Sequence, residues 1–168
     1  MSEFNEPKLE SLLGLGQEIA RKLREKNENI SVMESSAGGL ISTSLLAVAG
    51  ASYFFRGSTI VYTHEARRDL LEINDSVLEG VRPSSEPYIA ILAHGLKEKL
   101  STDWILAESG ATGPTGNRYG DAPGHACFAI LGPGVERTFT LETGEDNRFD
   151  NMIRFASFGL GQLTDALG

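Results

Sequence analysis

One cysteine, Cys127, in 168 residues leaves no partner for a disulfide within the chain and fits a reducing compartment. Histidine is scarce too. The three His stand far apart in sequence, and with a single Cys they make no metal-ligand spacing, so no bound metal is expected. Basic residues are outnumbered, 15 to 23, for a net charge of −8. That balance argues against a face built to coat a phosphate backbone, although one or two Arg in a cleft suffice to hold a small anion. No apolar run is long enough to span a membrane, which takes about 18 residues. The opening residues, MSEFNEPKLESLLGLGQEIA, put acids and a Pro where a signal peptide carries basic residues and an apolar core. The expected location is therefore the cytoplasm. No repeat and no low-complexity tract divides the chain, and one domain over residues 1–168 is expected.

Hydrophobic periodicity and turn residues mark the elements. Leu9, Leu12, Leu13, Ile19, Ala20 and Leu23 recur at helical spacing, which predicts an amphipathic helix over 8–25. Ile30–Met33 reads as a short strand, broken by Glu34-Ser35-Ser36-Ala37-Gly38-Gly39, and an apolar helix follows over 40–48. Residues 58–62 read as a buried, β-branched strand and 64–71 as a short helix. Ser84 or Ser85 caps the next helix, with Pro87 in its first turn. A third strand starts at Trp104, and five Gly and two Pro between Ser109 and Gly124 make the longest irregular stretch. Strands near 126–131 and 137–141 form a hairpin about Gly132-Pro133-Gly134, and 148–167 closes the chain as a helix. This order predicts a three-layer α/β/α sandwich around a mixed, mostly parallel five-stranded sheet.

Four segments carry candidate chemistry. At Glu34–Gly39 a strand stops and a helix starts with N–H groups free to meet an anion or an oxyanion. Ser35 stands there at the C-terminal edge of a strand, where open α/β sheets place ligands. Its structural alternative is a helix cap with close-packing glycines. Ser109–Gly116 lets a backbone approach a ligand, or is a plain surface loop. It is neither a Walker loop nor a dinucleotide fingerprint. Tyr62-Thr63-His64-Glu65-Ala66-Arg67-Arg68 offers acid–base groups and two Arg for an anion, or is a capped surface helix. Arg148, after Gly144-Glu145-Asp146-Asn147, reaches an anion or belongs to a solvated cluster.

Taken in order, these segments resemble the C-terminal domain of the competence/damage-inducible protein CinA. The family turn Ala-Glu-Ser-Cys-Thr-Gly-Gly is similar to Met33-Glu34-Ser35-Ser36-Ala37-Gly38-Gly39. Its Gly-x-x-x-Tyr-Ser-Asn-Glu-Ala-Lys segment is similar to Gly57 followed by Thr59–Arg67, its Gly-Ile-Ala-Gly-Pro loop to Gly110-Ala111-Thr112-Gly113-Pro114. Its Gly-Asp-Arg motif resembles Glu145-Asp146-Asn147-Arg148 with one residue inserted. The match spans residues 9 to 167 and leaves out the larger N-terminal domain of some members.

The resemblance implies a nicotinamide-nucleotide amidohydrolase, which turns nicotinamide mononucleotide into nicotinate mononucleotide and ammonia without metal or organic cofactor. It implies a serine nucleophile at Ser35 and a tyrosine at Tyr62. The pocket is implied to draw on Glu34, Ser36, Ala37, Gly38, Gly39, Arg67, Gly110, Thr112, Gly113 and Arg148. The implied partners are a pyridine nucleotide and further copies of the chain, with no nucleic acid and no membrane. Three positions depart from the pattern in ways that bear on the chemistry. The family's base Lys is Arg67, which stays protonated and cannot take the proton of a serine. The Thr is Ala37, which removes a hydroxyl, while His64 replaces the usual Asn with a residue suited to base work. Three readings follow: an amidohydrolase using Ser35 with His64 or Tyr62, a nucleotide-binding module without turnover, or a structural protein with no ligand.

Overall fold

A computed structural model describes residues 8–168. Residues 1–7, on which part of the leader reading rests, lie outside the described residues. The elements run α1 (Leu9–Lys26), β1 (Ile30–Glu34), α2 (Leu40–Leu46), β2 (Phe55–Ile60), α3 (His64–Leu71), α4 (Glu86–Leu100), β3 (Trp104–Ala111), β4 (His125–Gly132), β5 (Val135–Glu142) and α5 (Arg148–Leu167), with short 3₁₀ turns at Ala51–Tyr53 and Asp75–Leu78.

The sheet order is β2-β1-β3-β4-β5. β1 pairs parallel with β2 and with β3, β3 pairs antiparallel with β4, and β4 antiparallel with β5. Four strands therefore point one way and only β4 is reversed. The central strands alternate their side chains between two cores, as strand geometry requires. Val32, Leu106, Phe128 and Ile130 face α1, α2 and α5, packed with Leu12, Ile19, Ile41, Leu45, Phe155 and Leu160. Met33, Ile105, Ala107, Ala129 and Leu131 face α3 and α4, packed with Leu71, Ile89, Leu92 and Leu96. Each Leu, Ile, Met or Phe among them is worth about 2–5 kcal/mol against truncation to Ala.

Three expectations change. Residues 58–62 were expected as a buried strand, but β2 is Phe55–Ile60 and its residues alternate between half-buried and exposed. It lies at the sheet edge with one neighbour, so only one of its faces is covered. The irregular stretch expected from Ser109 starts later, because β3 continues to Ala111, paired with His125. Gly110 is required there by a close approach: a Cβ on it would lie 2.3 Å from the His125 carbonyl oxygen. α2 ends at Leu46, two residues short of its expected end.

The parallel strands bring their C-terminal ends to one edge. The turns after β1, β2 and β3 leave the sheet there, as does the start of α5 after β5. The chain passes from β1 to β2 on one side and then back across β1 to β3 on the other. Such a reversal of strand order is where open α/β sheets form a crevice.

Candidate functional site

The turn after β1 is organised by two buried carboxylates. Glu34, the last residue of β1, is fully buried and folds its side chain forward over the start of α2. It accepts hydrogen bonds from the N–H groups of Gly39 (3.1 Å), Ile41 (2.9 Å) and Ser42 (2.9 Å), and from the Ser42 hydroxyl (2.5 Å). Glu108, fully buried on β3, accepts from the N–H groups of Ser35 (3.0 Å) and Ala37 (2.9 Å) and from the Ser36 hydroxyl. Gly38 N–H donates to the Ser35 carbonyl at 3.2 Å. The left-handed φ of Gly38 and Gly39, 65° and 97°, lets the chain double back tightly enough for this arrangement.

This corrects the expected role of the turn. The N–H groups of Ala37, Gly38 and Gly39 are not free donors for a phosphate or an oxyanion, since each is already taken within the fold. An anion brought here would meet two carboxylates. Burial pushes the Glu108 pKa up to about 7, against the Ser36, Ala37 and Ser35 bonds that favour the charged form. The side chain of Ala37 packs in the core with Val32 and Ile41, so a hydroxyl at this position would point into the interior.

Beside the turn lies a cavity of about 460 Å³, within the range of small-molecule sites. Ser35, Tyr62, His64 and Gly110 all line it, so four of the sequence-predicted residues share one site. Met33, Val61, Tyr88 and Leu92 give it a buried apolar side, and Ser109, Asn117, Arg118 and Tyr119 a polar one. The Ser35 hydroxyl makes no hydrogen bond within the described chain; only its backbone N–H and carbonyl are engaged. Glu34, Ser36, Ala37, Gly38, Gly39, Arg67, Thr112, Gly113 and Arg148 are not among the lining residues.

Arg67 is 3% exposed and lies behind the lining of the cavity, beside His64 and Tyr88. Its Nε donates to the Ile73 carbonyl at 3.2 Å, its Nη2 pairs with Asp75, and its Nη1 lies 3.5 Å from His64 Nδ1. A guanidinium can only donate, so His64 Nδ1 is the acceptor and its proton sits on Nε2. Nε2 then donates to the Tyr119 hydroxyl at 2.9 Å. Both ring nitrogens are occupied, and neither bonds to Ser35. Arg148 joins two loops: Nη1 donates to the Gly113 carbonyl and Nη2 to the Tyr62 oxygen, each at 2.8 Å. Thr112 is buried, and its carbonyl accepts from Asn151 at 2.8 Å. Cys127 sits behind the site, its thiol donating to the Ser109 carbonyl at 3.3 Å, and burial pushes its pKa far up. It is no nucleophile.

Sequence reasoning missed Glu108, Asn117, Arg118 and Tyr119. Glu108 had a signal: a carboxylate directly after Trp104-Ile105-Leu106-Ala107 in a buried strand must be paired. The three loop residues carried none, because their approach to the cavity depends on how the long loop folds back.

A sequence profile of the CinA C-terminal domain matches residues 13–167. The chain belongs to this family. Among curated relatives, a CinA-like protein of Prochlorococcus marinus strain MIT 9312 is 33% identical over 149 residues, 89% of this chain and 35% of that protein. A second, from Prochlorococcus marinus strain AS9601, is 37% identical over 115 residues, 68% of this chain and 27% of that protein. The chain thus spans about a third of the length of these relatives. Among solved structures, a competence or damage-inducible protein from Enterobacter asburiae superposes with a TM-score of 0.87 at 27% identity, covering 94% of this chain and 98% of that one. The competence/damage inducible protein CihA of Agrobacterium tumefaciens, at 24% identity and a TM-score of 0.84, covers 99% of both chains and shows the same fold. The five-stranded mixed sheet between helix layers is the architecture of the CinA family. No helix among the described residues is long and apolar enough to cross a membrane, and no group of three or more His, Cys, Asp or Glu is placed there to hold a metal ion.

Proposed function

We propose that this chain is a CinA-family amidohydrolase that converts nicotinamide mononucleotide to nicotinate mononucleotide and ammonia. One observation carries the reading: Ser35, with its hydroxyl unengaged, shares a cavity with Tyr62, His64 and Gly110 at the C-terminal edge of the parallel strands. The apolar side suits the pyridine ring, and the polar side suits the ribose phosphate. Ser35 Oγ attacks the carboxamide carbon, and the carbon–nitrogen bond breaks. Nitrogen leaves as ammonia, carrying the serine proton. Water then hydrolyses the ester, releases the nicotinate product and restores Ser35. With both His64 nitrogens occupied, Tyr62 is the group left to relay protons, its oxygen accepting from Arg148 at 2.8 Å. The reaction takes place in a reducing cytoplasm.

A second reading has its own support. Arg67, at the position of the family base, is buried against Asp75 and outside the cavity, which favours a site that binds the nucleotide without cleaving it. Ammonia release on nicotinamide mononucleotide, measured beside thermal melting with the same compound, separates the two. Turnover supports the amidohydrolase. A raised melting temperature without turnover supports the binding module, since a ligand of the folded state stabilises it by mass action. Neither response overturns both.

A further inference from the structure

The two carboxylates at the Ser35 turn raise the question of where an anionic ligand could put its charge. Arg118 is the only Lys or Arg among the residues lining the cavity. It is exposed, and its one side-chain contact is with the ring of its neighbour Tyr119, its guanidinium carbon 5.5 Å from the ring centre. The carboxylate nearest in sequence, Asp121, is spoken for: Arg82 donates to both of its oxygens at 2.9 Å, and Asn117 donates to it at 2.8 Å. The other charged lining residue, Glu65, sits 3.7 Å from Arg68. Arg118 therefore faces the cavity with no counter-charge.

The loop that carries it is held in place from three directions. Asn117 Oδ1 accepts from the N–H groups of Tyr119 (3.0 Å) and Asp121 (3.1 Å), which closes a tight local ring. Arg82 ties Asp121 to the segment before α4. His64, on α3, holds the Tyr119 hydroxyl. An arginine on a braced loop loses less freedom on meeting an anion than one on a loose loop, and its planar fork fits a phosphate with two parallel bonds.

We propose that Arg118 is the anion-binding residue of this cavity. The ligand is then a zwitterionic pyridine nucleotide lying with its phosphate at Arg118 and its cationic ring and carboxamide toward Ser35 and the buried carboxylates. The inference rests on the pyridine-nucleotide reading of the site and adds the ligand's direction within it. It also moves the phosphate from Arg67 and Arg148, which are bonded within the fold, to a residue that is free to receive it.

The test compares nicotinamide mononucleotide with nicotinamide riboside, the same ring without phosphate, by calorimetric titration of wild type, Arg118→Gln and Arg118→Lys. The mononucleotide should bind wild type about tenfold or more tightly than the riboside, the scale of a charged hydrogen bond. Arg118→Gln should remove that advantage and leave riboside binding as it was, and Arg118→Lys should keep part of it. Mononucleotide affinity should fall with added salt in wild type and lose that dependence in Arg118→Gln. A merely structural role would weaken both ligands alike, and so overturn the proposal. So would mononucleotide affinity unchanged in Arg118→Gln, which leaves the reading of the site intact. If wild type binds neither compound, the pyridine-nucleotide reading falls and this inference with it.

Discussion

Replacing Glu108 by Gln tests the organisation of the Ser35 turn through stability rather than activity. Glu108 is fully buried, and burial lifts its pKa from 4.5 to about 7. A folded-state pKa above the unfolded one means the native protein holds this proton more tightly. Stability is therefore fully present below pH 4.5, falls as pH rises toward 7, and levels off above it. The shift corresponds to about 3 kcal/mol across that window. Gln has the shape of the protonated acid. Its carbonyl can take the Ser35 and Ala37 N–H groups, and its amide can donate to the Ser36 oxygen. Urea denaturation of wild type and Glu108→Gln between pH 5 and 8 should show the variant gaining on wild type by about 2–3 kcal/mol as pH rises. A gap that does not change with pH would refute the reasoning, since it would mean that Glu108 ionises as an exposed carboxylate does.

Further outcomes follow from other contacts. Arg67→Met should lower stability by about 2–4 kcal/mol, because it removes the partner of Asp75 and the donor to the Ile73 carbonyl, and chemical denaturation reads this directly. Arg67→Lys should not raise deamidase activity, since the amine would stay paired with Asp75 and outside the lining of the cavity; an ammonia assay showing a large gain would contradict this. His125 donates to the Ser84 carbonyl and meets Glu142 at 2.5 Å, so both neighbours are acceptors. Burial lowers its pKa, but Glu142, Ser84 and Asp121 outweigh that and raise it overall. Its stabilising effect is then present below about pH 6.5 and lost as pH rises through its raised pKa. His125→Gln should cost more at pH 6 than at pH 9 in the same denaturation experiment.

Much of the architecture was legible because single residues settle it. Ser85, one of the two candidates, caps α4, α5 starts at Arg148 as its spacing predicted, and Pro133-Gly134 turns the β4–β5 hairpin. α3 starts at His64, after Thr63, whose hydroxyl accepts from Ala66 N–H. What stayed hidden was set by neighbours distant in the chain. β2 has the composition of a buried strand, but its place at the sheet edge is decided by the crossover to β3. Ser109-Gly110-Ala111 has loop composition, but the approach of β4 makes it strand. At the site, Ser35, Tyr62, His64 and Gly110 were readable because each lies at or just past the C-terminal end of a strand at one edge. Arg67 was misread as facing a ligand, since nothing local reveals that Asp75 and the Ile73 carbonyl take its donors. The N–H groups of the turn likewise gave no sign that Glu108, 71 residues from Ala37, would claim them.

Ammonia release from nicotinamide mononucleotide by wild type and Ser35→Ala is the most direct test of the central claim. Removing the Ser35 oxygen breaks no hydrogen bond of the described chain, so the variant should fold and melt as wild type does. The account predicts ammonia from wild type, none from Ser35→Ala, and mononucleotide binding by both. Ammonia release that survives in Ser35→Ala, or none from a wild type that binds the nucleotide, would contradict it.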